Sequence, residues 1–279
     1  MSAVQNEIQT LLDRVVEEGR ECGIQVAAYH HGALVVDAWA GRCDARRDTP
    51  VDGRTLFPVF STTKGVAATV IHILAARGVF KYDDPIALYW PEFAQHGKEA
   101  ITLRHVLTHS SGIPQLPADL SLEDAADWDR MCAIVAALPP LWRPGSKMEY
   151  HALTYGWILG EVARRATGTP FGELLDALVR TPLKLADLYI GCPAAVCARV
   201  AVLDEPTAAP LLPNESGHYT IPPALQPLYV WMNRPDAQRA CNPAGSGVMS
   251  AQSIARHYAA LVPGGVDGVS LLPETHVTA

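Results

Sequence analysis

The segment STTKGVAATVIHILAARG, residues 61–78, constrains the fold more than any other, because Ala, Val and Ile fill it nearly all round. A surface helix carries its apolar residues on one face, whereas a helix that is apolar on every face is buried. Arg77 and Gly78 end the pattern with a C-terminal stop signal. We therefore predict a central helix here, surrounded by the core that a chain of 279 residues, 49% of them hydrophobic, can supply.

Strand-like segments precede this helix and helix-like segments follow it. Residues 24–29 and 33–39 are two β-rich runs around His30-His31-Gly32, which predicts a hairpin with Gly32 in the turn. Apolar spacing predicts further helices at residues 102–107, 124–138, 152–167, 171–180 and 251–261. The proline-rich stretch 191–245 is expected to be irregular. This order predicts an α+β fold in one domain over residues 1–279, with a helical subdomain at roughly residues 79–240.

Charge and composition exclude several classes of partner. The net charge is -7, which argues against nucleic acid or an anionic membrane surface. The chain contains no run of about 18 apolar residues, so no transmembrane helix is expected. The first 21 residues have helical spacing and lack the features of a signal peptide, which predicts a surface helix and a cytoplasmic location. None of the six cysteines forms a C-x-x-C pair, so reduced thiols are expected.

Ser61 and Lys64 are the first candidate catalytic residues. A separation of three residues on a helix puts both side chains on one face, and the helix start offers positive charge to an oxyanion. A buried lysine loses its proton more easily and can then take the proton of a serine nucleophile. The alternative is a serine that caps the helix and a solvated lysine. The apolar surroundings of Lys64 weigh against that alternative, because a buried ammonium group is costly without a role.

Tyr150 is the second candidate. It ends the loop RPGSKMEY, residues 143–150, where a phenol can pass protons between a nucleophile and a leaving group. The alternative is a structural tyrosine, half-buried with its hydroxyl in water. His105 and His109 have the i, i+4 spacing of a metal pair, but no third ligand is evident. We therefore expect neither a metal nor a cofactor.

Four segments together resemble the serine β-lactamase-like superfamily of class C β-lactamases, family VIII carboxylesterases and penicillin-binding proteins. They are LFPVFSTTKGVAATVIHILAARGVFKYDDPI, ITLRHVLTHSSGIP, RPGSKMEYHALTYGWILGEVARRATG and NPAGSGVMSAQSIARHYAAL, in the order and spacing of the family. The resemblance implies a β-lactamase/transpeptidase-like fold, in which helices and a helical subdomain flank an antiparallel sheet. It also implies that Ser61 is acylated, that Lys64 or Tyr150 is the main base, and that the Ser61 N–H is one oxyanion donor.

The chain departs from the family pattern at two motifs. The family has asparagine two residues after the tyrosine, where this chain has Ala152, and the loss of that amide favours an ester over a β-lactam. After Tyr150 there is no Lys-Thr-Gly or His-x-Gly, the motif whose strand supplies the second oxyanion donor in the family. Loss of one such donor lowers a rate about 100- to 1,000-fold. Relatives continue beyond the position of Ala279, so we expect the C-terminal strands to be lacking and the N-terminal hairpin to be a marginal two-stranded sheet.

The predicted function is that of a serine hydrolase that cleaves small acyl esters through a covalent acyl-serine intermediate. Its expected partner is a small ester or amide, and the sequence carries no signal for an oligomeric state. One alternative is a catalytically impaired member of the family that serves as a binding or assembly module, which the missing third motif favours. The other is a penicillin-recognising peptidase or β-lactamase, against which Ala152 and the missing signal peptide weigh.

Overall fold

The computed structural model describes residues 2–205, 207, 209–214 and 217–277, and it is an α+β fold with two antiparallel sheets. The strands are β1 (Gly23–His30), β2 (Ala33–Asp44), β3 (Arg47–Pro50), β4 (Phe57–Pro58), β5 (Leu188–Ile190) and β6 (Gly247–Met249). The helices are α1 (Ala3–Glu17), α2 (Thr63–Ala76), α3 (Leu103–Leu107), α4 (Leu122–Ala126), α5 (Trp128–Ala137), α6 (Thr154–Thr167), α7 (Phe171–Leu175), α8 (Thr181–Leu183), α9 (Ala194–Cys197), α10 (Leu228–Met232), α11 (Pro235–Arg239), α12 (Ala251–Ala259) and α13 (Glu274–Val277). The predicted fold class is confirmed.

The N-terminal hairpin forms as predicted and becomes part of a larger sheet. β1 and β2 pair antiparallel along their length, and the turn residues His31 and Gly32 have left-handed backbone, with φ of 49° and 76°. β3 adds a third strand beside β2. The expectation of a two-stranded sheet is therefore wrong. The sheet also packs against α1 and α12, and a small apolar cluster of Leu12, Val36 and Ala38 is buried between α1 and β2.

The second sheet, in the order β4-β6-β5, brings distant parts of the chain together. β4 leads into the turn before α2, and β6 follows the loop at residues 242–246. Two further hydrogen bonds join these segments: the Val59 N–H donates to Gly247 O at 2.9 Å, and the Gly247 N–H donates to Thr63 Oγ1 at 2.9 Å. A Cβ on Gly247 would lie 2.4 Å from Thr63 Oγ1, so this close approach requires glycine. The start of α2 is therefore fixed beside the loop at residues 242–246.

α2 is the central helix that its composition predicted. Nine of its 14 residues are buried. It packs against α6, in which residues 154–163 are all buried. Gly156 lies where α6 meets the loop at residues 242–246, and a Cβ there would lie 2.3 Å from Asn242 Oδ1. Glycine at this position thus allows the helix and the loop to touch.

Three expected elements differ in the structure. The helix expected over residues 124–138 is divided into α4 and α5, because Asp127 caps a new helix by accepting a backbone N–H from its first turn. The segment 171–180 begins as α7 and continues as a π-helical turn over Asp176–Arg180. The stretch 191–245 contains α9, α10 and α11. Prolines stand at or just before the first residues of these helices, where a missing N–H breaks no helical hydrogen bond.

None of the helices in the described part of the chain is both long and apolar enough to cross a bilayer. The six cysteines are all free thiols. Cys132 and Cys192 are buried, and the other four are partly buried. They therefore contribute to packing and form no covalent cross-link in this structure.

Candidate active site

Ser61 is presented to solvent at the start of the central helix. β4 ends at Pro58, and Phe60 then adopts a left-handed backbone with φ of 44°, which turns the chain sharply. Non-glycine residues seldom occupy this region, and strain of this kind is concentrated at functional sites. Ser61 follows in a 3-10 turn that runs into α2, and it is exposed. Its hydroxyl therefore lies on the surface at the positive end of a 14-residue helix.

Lys64 lies one turn further along and is 8% exposed. Its Nζ donates hydrogen bonds to Ser61 Oγ at 3.2 Å, to Ala152 O at 2.7 Å and to Ala244 O at 2.8 Å. Burial lowers the pKa of the Lys64 ammonium group from 10.5 to about 7. Neutral oxygens surround the nitrogen, so they replace the hydrogen bonds of water without supplying the negative charge that would hold the proton in place.

The two carbonyl oxygens can accept hydrogen bonds from Lys64 whether its side chain is neutral or protonated. A carbonyl oxygen only accepts hydrogen bonds, so Ala152 O and Ala244 O each take an N–H from the lysine. A neutral amine has two N–H groups and one lone pair, so these two bonds leave the lone pair for the Ser61 hydroxyl. An ammonium group donates its third N–H to Ser61 Oγ instead. A proton can therefore move from Ser61 to Lys64 while the heavy atoms stay in place.

Tyr150 contacts the same Ser61 oxygen as Lys64 does. Its hydroxyl donates a hydrogen bond to Ser61 Oγ at 2.6 Å, and Lys64 Nζ lies 4.8 Å from the centre of its ring. Tyr150 is 48% exposed, so this side of Ser61 is open to solvent. The structure thus brings together the three residues proposed from the sequence, with Ser61 Oγ between an amine and a phenol.

No sequence motif indicated the two carbonyls that hold Lys64. The family has asparagine at the position of Ala152, yet the main-chain oxygen of Ala152 still binds the lysine. The second carbonyl belongs to Ala244, whose own N–H is held at 2.8 Å by Asn242 Oδ1. The segment NPAGSG predicts a loop at this position, because it resembles a family motif. Nothing in its residue types shows which carbonyl faces the lysine.

The histidines near the site have other tasks than metal binding. His105 caps α3 by accepting the Thr102 N–H at Nδ1, whereas His109 lies against Tyr150, with 4.9 Å between ring centres. His151 is completely buried and its Nε2 is hydrogen-bonded with Ser111 Oγ at 2.8 Å. Over the described ranges, no three side chains of His, Cys, Asp or Glu are grouped so that they could hold a metal ion.

A serine that contacts a lysine and a tyrosine at the start of a central helix, in this α+β fold, defines the β-lactamase/transpeptidase-like class of proteins. The chain belongs to the β-lactamase family, whose sequence profile, described as Beta-lactamase, matches residues 8–277. The family and the fold inferred from the sequence motifs are therefore confirmed.

Named relatives include esterases and β-lactamases. The Esterase/beta-lactamase LipL of Mycobacterium tuberculosis is 34% identical over 277 residues, which cover 92% of this chain and 62% of that protein. Esterase EstB of Burkholderia gladioli is 29% identical over 197 residues, which cover 64% of this chain and 50% of that protein. The chain thus spans between half and two thirds of the length of these curated relatives.

Two solved structures share the fold over almost the whole chain. A family VIII carboxylesterase has a TM-score of 0.88 and 34% identity, with 99% of this chain and 74% of that chain covered. A penicillin-binding protein homologue from Caulobacter crescentus has a TM-score of 0.84 and 34% identity, with 100% of this chain and 75% of that chain covered. The described elements therefore correspond to about three quarters of each of these chains.

Proposed function

We propose that this chain is a serine hydrolase that cleaves small acyl esters through a covalent acyl-Ser61 intermediate. The observation that carries the proposal is the position of Ser61 Oγ, 3.2 Å from Lys64 Nζ and 2.6 Å from the Tyr150 hydroxyl. Covalent catalysis needs a nucleophile within hydrogen-bond reach of a base that other groups orient. Here the carbonyls of Ala152 and Ala244 orient the base.

Acylation begins with the free amine of Lys64. Because its pKa is lowered to about 7, a large share of Lys64 is neutral near neutral pH. The amine takes the Ser61 proton while Oγ bonds to the carbonyl carbon of the ester, and the carbonyl electron pair moves onto oxygen. The Ser61 N–H, at the positive end of α2, stabilises this oxyanion.

Collapse of the oxyanion breaks the bond to the alcohol oxygen, which leaves with the proton of the Tyr150 hydroxyl. Lys64 then transfers its proton to the Tyr150 oxygen, which becomes a hydroxyl again.

Deacylation uses the same groups with water in place of the alcohol. A water molecule bonds to the acyl carbon and gives its proton to the pair formed by Lys64 and Tyr150. Ser61 Oγ then leaves and takes a proton back from that pair. Each turnover consumes one ester and one water, releases one alcohol and one acid, and returns the three side chains to their starting states.

An ester substrate fits the site better than a β-lactam. Ala152 is buried and offers no side-chain hydrogen bond to an acyl amide, and an ester requires fewer polar anchors than a β-lactam. The name of the relative EstB contains the word esterase, that of LipL contains both esterase and beta-lactamase, and one structural neighbour is a family VIII carboxylesterase. These similarities support ester hydrolysis as the activity.

The proposal is tested by labelling and turnover of the purified chain. A fluorophosphonate probe should label the wild type at one residue, identified as Ser61 by peptide mass spectrometry, and a p-nitrophenyl ester of a short acid should be hydrolysed. Ser61→Ala should lose both properties. Ser146→Ala is the matched control and should keep them, because Ser146 is an exposed serine on the loop before Tyr150 and its hydroxyl donates a hydrogen bond to Arg143 O.

The alternatives predict different results in the same assays. A binding or assembly module would show no labelling, and its Ser61→Ala variant would behave as the wild type does. A penicillin-recognising enzyme would be labelled at Ser61 by a fluorescent penicillin and would hydrolyse the ester poorly. Either result would overturn the esterase proposal.

A further inference from the structure

His109 contacts the Tyr150 segment at three consecutive residues. Its carbonyl accepts the Glu149 N–H at 3.1 Å, and its Nδ1 accepts the His151 N–H at 3.2 Å. Its ring lies 4.9 Å from the ring of Tyr150, measured between centres. One residue thus holds the main chain directly before and directly after the tyrosine and packs against the tyrosine itself.

Tyr150 depends on such restraints because local structure supplies few. It is 48% exposed, and it lies outside any helix or strand, since α6 begins only at Thr154. The hydroxyl nevertheless stands 2.6 Å from Ser61 Oγ. Proton transfer is sensitive to such geometry, and a displacement of about 1 Å can lower a rate about 100-fold.

The backbone conformation of His109 allows it to accept hydrogen bonds from both Glu149 and His151. Its φ is 56°, in the left-handed region where His, Asn and Asp are the most frequent residues after glycine. Nδ1 can accept the His151 N–H only in a neutral ring that carries its proton on Nε2. Burial and the charge of Lys64 both lower the pKa of His109, which favours this neutral form.

We propose that His109 is a positioning residue that sets the Tyr150 hydroxyl against Ser61 by holding the main chain on both sides of the tyrosine. The inference rests on the proposed function, because the position of the phenol matters where the phenol transfers a proton. It assigns to His109 no contact with the substrate. The acceptor at Nδ1 holds the main chain after Tyr150 by binding the His151 N–H.

Two substitutions distinguish the effect of the Nδ1 acceptor from the effect of the left-handed backbone at residue 109. His109→Gly tolerates the left-handed φ but has no acceptor, whereas His109→Asn tolerates it and places an amide oxygen near the position of Nδ1. His96→Gly is the matched control, since His96 is exposed, has φ of 58° and lies in the turn before α3. All three variants are first compared with the wild type by urea unfolding, so that a loss of activity is assigned to folded protein.

We expect His109→Gly to lower kcat for a p-nitrophenyl ester about 10- to 100-fold with little change in KM, because proton transfer and not binding is impaired. His109→Asn should recover kcat to within about threefold of the wild type, because it restores the acceptor. His96→Gly should have no effect. Equal losses in His109→Gly and His109→Asn would overturn the proposal, and so would an unchanged kcat in His109→Gly.

A second measurement does not depend on activity. Tyrosine labelled with 13C at Cζ gives one resonance for Tyr150, identified by its absence in Tyr150→Phe. Both variants lose the ring current of His109 and should shift this resonance, but it should broaden in His109→Gly and stay as narrow as in the wild type in His109→Asn. If the wild type hydrolyses no ester, the proposed function fails, and the resonance alone decides the positioning role. Equal line widths in His109→Gly and His109→Asn would overturn that role whatever the activity.

Discussion

Replacement of Lys64 by methionine tests the electrostatics of the site without an activity assay. Methionine has a similar unbranched length and lacks the amine. The substitution leaves Ala152 O and Ala244 O without their N–H partner. That loss destabilises the folded chain by about 1–3 kcal/mol per carbonyl, and it does so equally at every pH. The stability difference between the two proteins therefore has a constant part and a part that depends on the proton of Lys64.

The part of the stability difference that depends on the proton of Lys64 follows from the lowered pKa of this residue. Lys64 has a pKa of about 7 when folded, against an ordinary value of 10.5. Between these values the unfolded chain binds a proton that the folded chain does not, so the stability of the wild type rises with pH. Below the folded pKa the penalty for burying the ammonium group is fully present. From about pH 6 to about pH 9 the wild type should gain about 2–3 kcal/mol relative to Lys64→Met, at about 1.4 kcal/mol per pKa unit.

Urea unfolding at several pH values measures this gain. The free energy of unfolding is determined for the wild type and for Lys64→Met at each pH, and the difference is plotted against pH, so that all other titrating groups cancel. Lys81→Met is the matched control, because Lys81 is exposed, and its difference should stay flat. Parallel curves for the wild type and Lys64→Met would show that Lys64 keeps its proton on folding, and the argument for a free amine as the base would fail.

Three further predictions concern neighbouring groups. Tyr150→Phe should lower kcat for ester hydrolysis about 100- to 10,000-fold, as expected for loss of a general acid, and steady-state kinetics would refute this if kcat stayed within threefold. Glu161→Gln should lower the free energy of unfolding by about 2 kcal/mol, because the completely buried carboxylate pairs with two arginines; an unchanged urea midpoint would contradict it. Gly156→Ala should reduce both stability, by about 1–3 kcal/mol, and ester hydrolysis, since its Cβ would press on the loop at residues 242–246. Gly172→Ala meets no atom within 4 Å and should leave both unchanged.

Much of the fold could be predicted from periodicity and composition. The apolar composition of α2 indicated a central helix, and nine of its 14 residues are buried. The hairpin turn was recognisable from Gly32, whereas the left-handed backbone of His31 was not predicted. The division between α4 and α5 was missed, because Asp127 is one of three Asp residues between positions 124 and 129, each of a type that can cap a helix, and its capping bond is decided by one side-chain rotamer.

The site was only partly predictable. Helical spacing alone places Ser61 and Lys64 on one face, because both belong to one turn. The contact of Tyr150 with Ser61 joins residues 89 positions apart, and no local pattern carries such information. It came from the resemblance of whole segments to a family. The carbonyls of Ala152 and Ala244 were not predictable, because every residue type has the same main-chain oxygen and only the tertiary fold decides where that oxygen points.

The pairing of β4 with β6 also determines when this site can form during synthesis. Ser61 emerges from the ribosome early, whereas Ala244, whose carbonyl accepts a hydrogen bond from Lys64, follows Lys64 by 180 residues. A nascent chain that has not yet reached β6 has the serine and the lysine but lacks one of the two carbonyls that orient the amine. Reactivity of Ser61 towards an acylating probe would thus report that synthesis has passed β6 and that the chain has closed on itself.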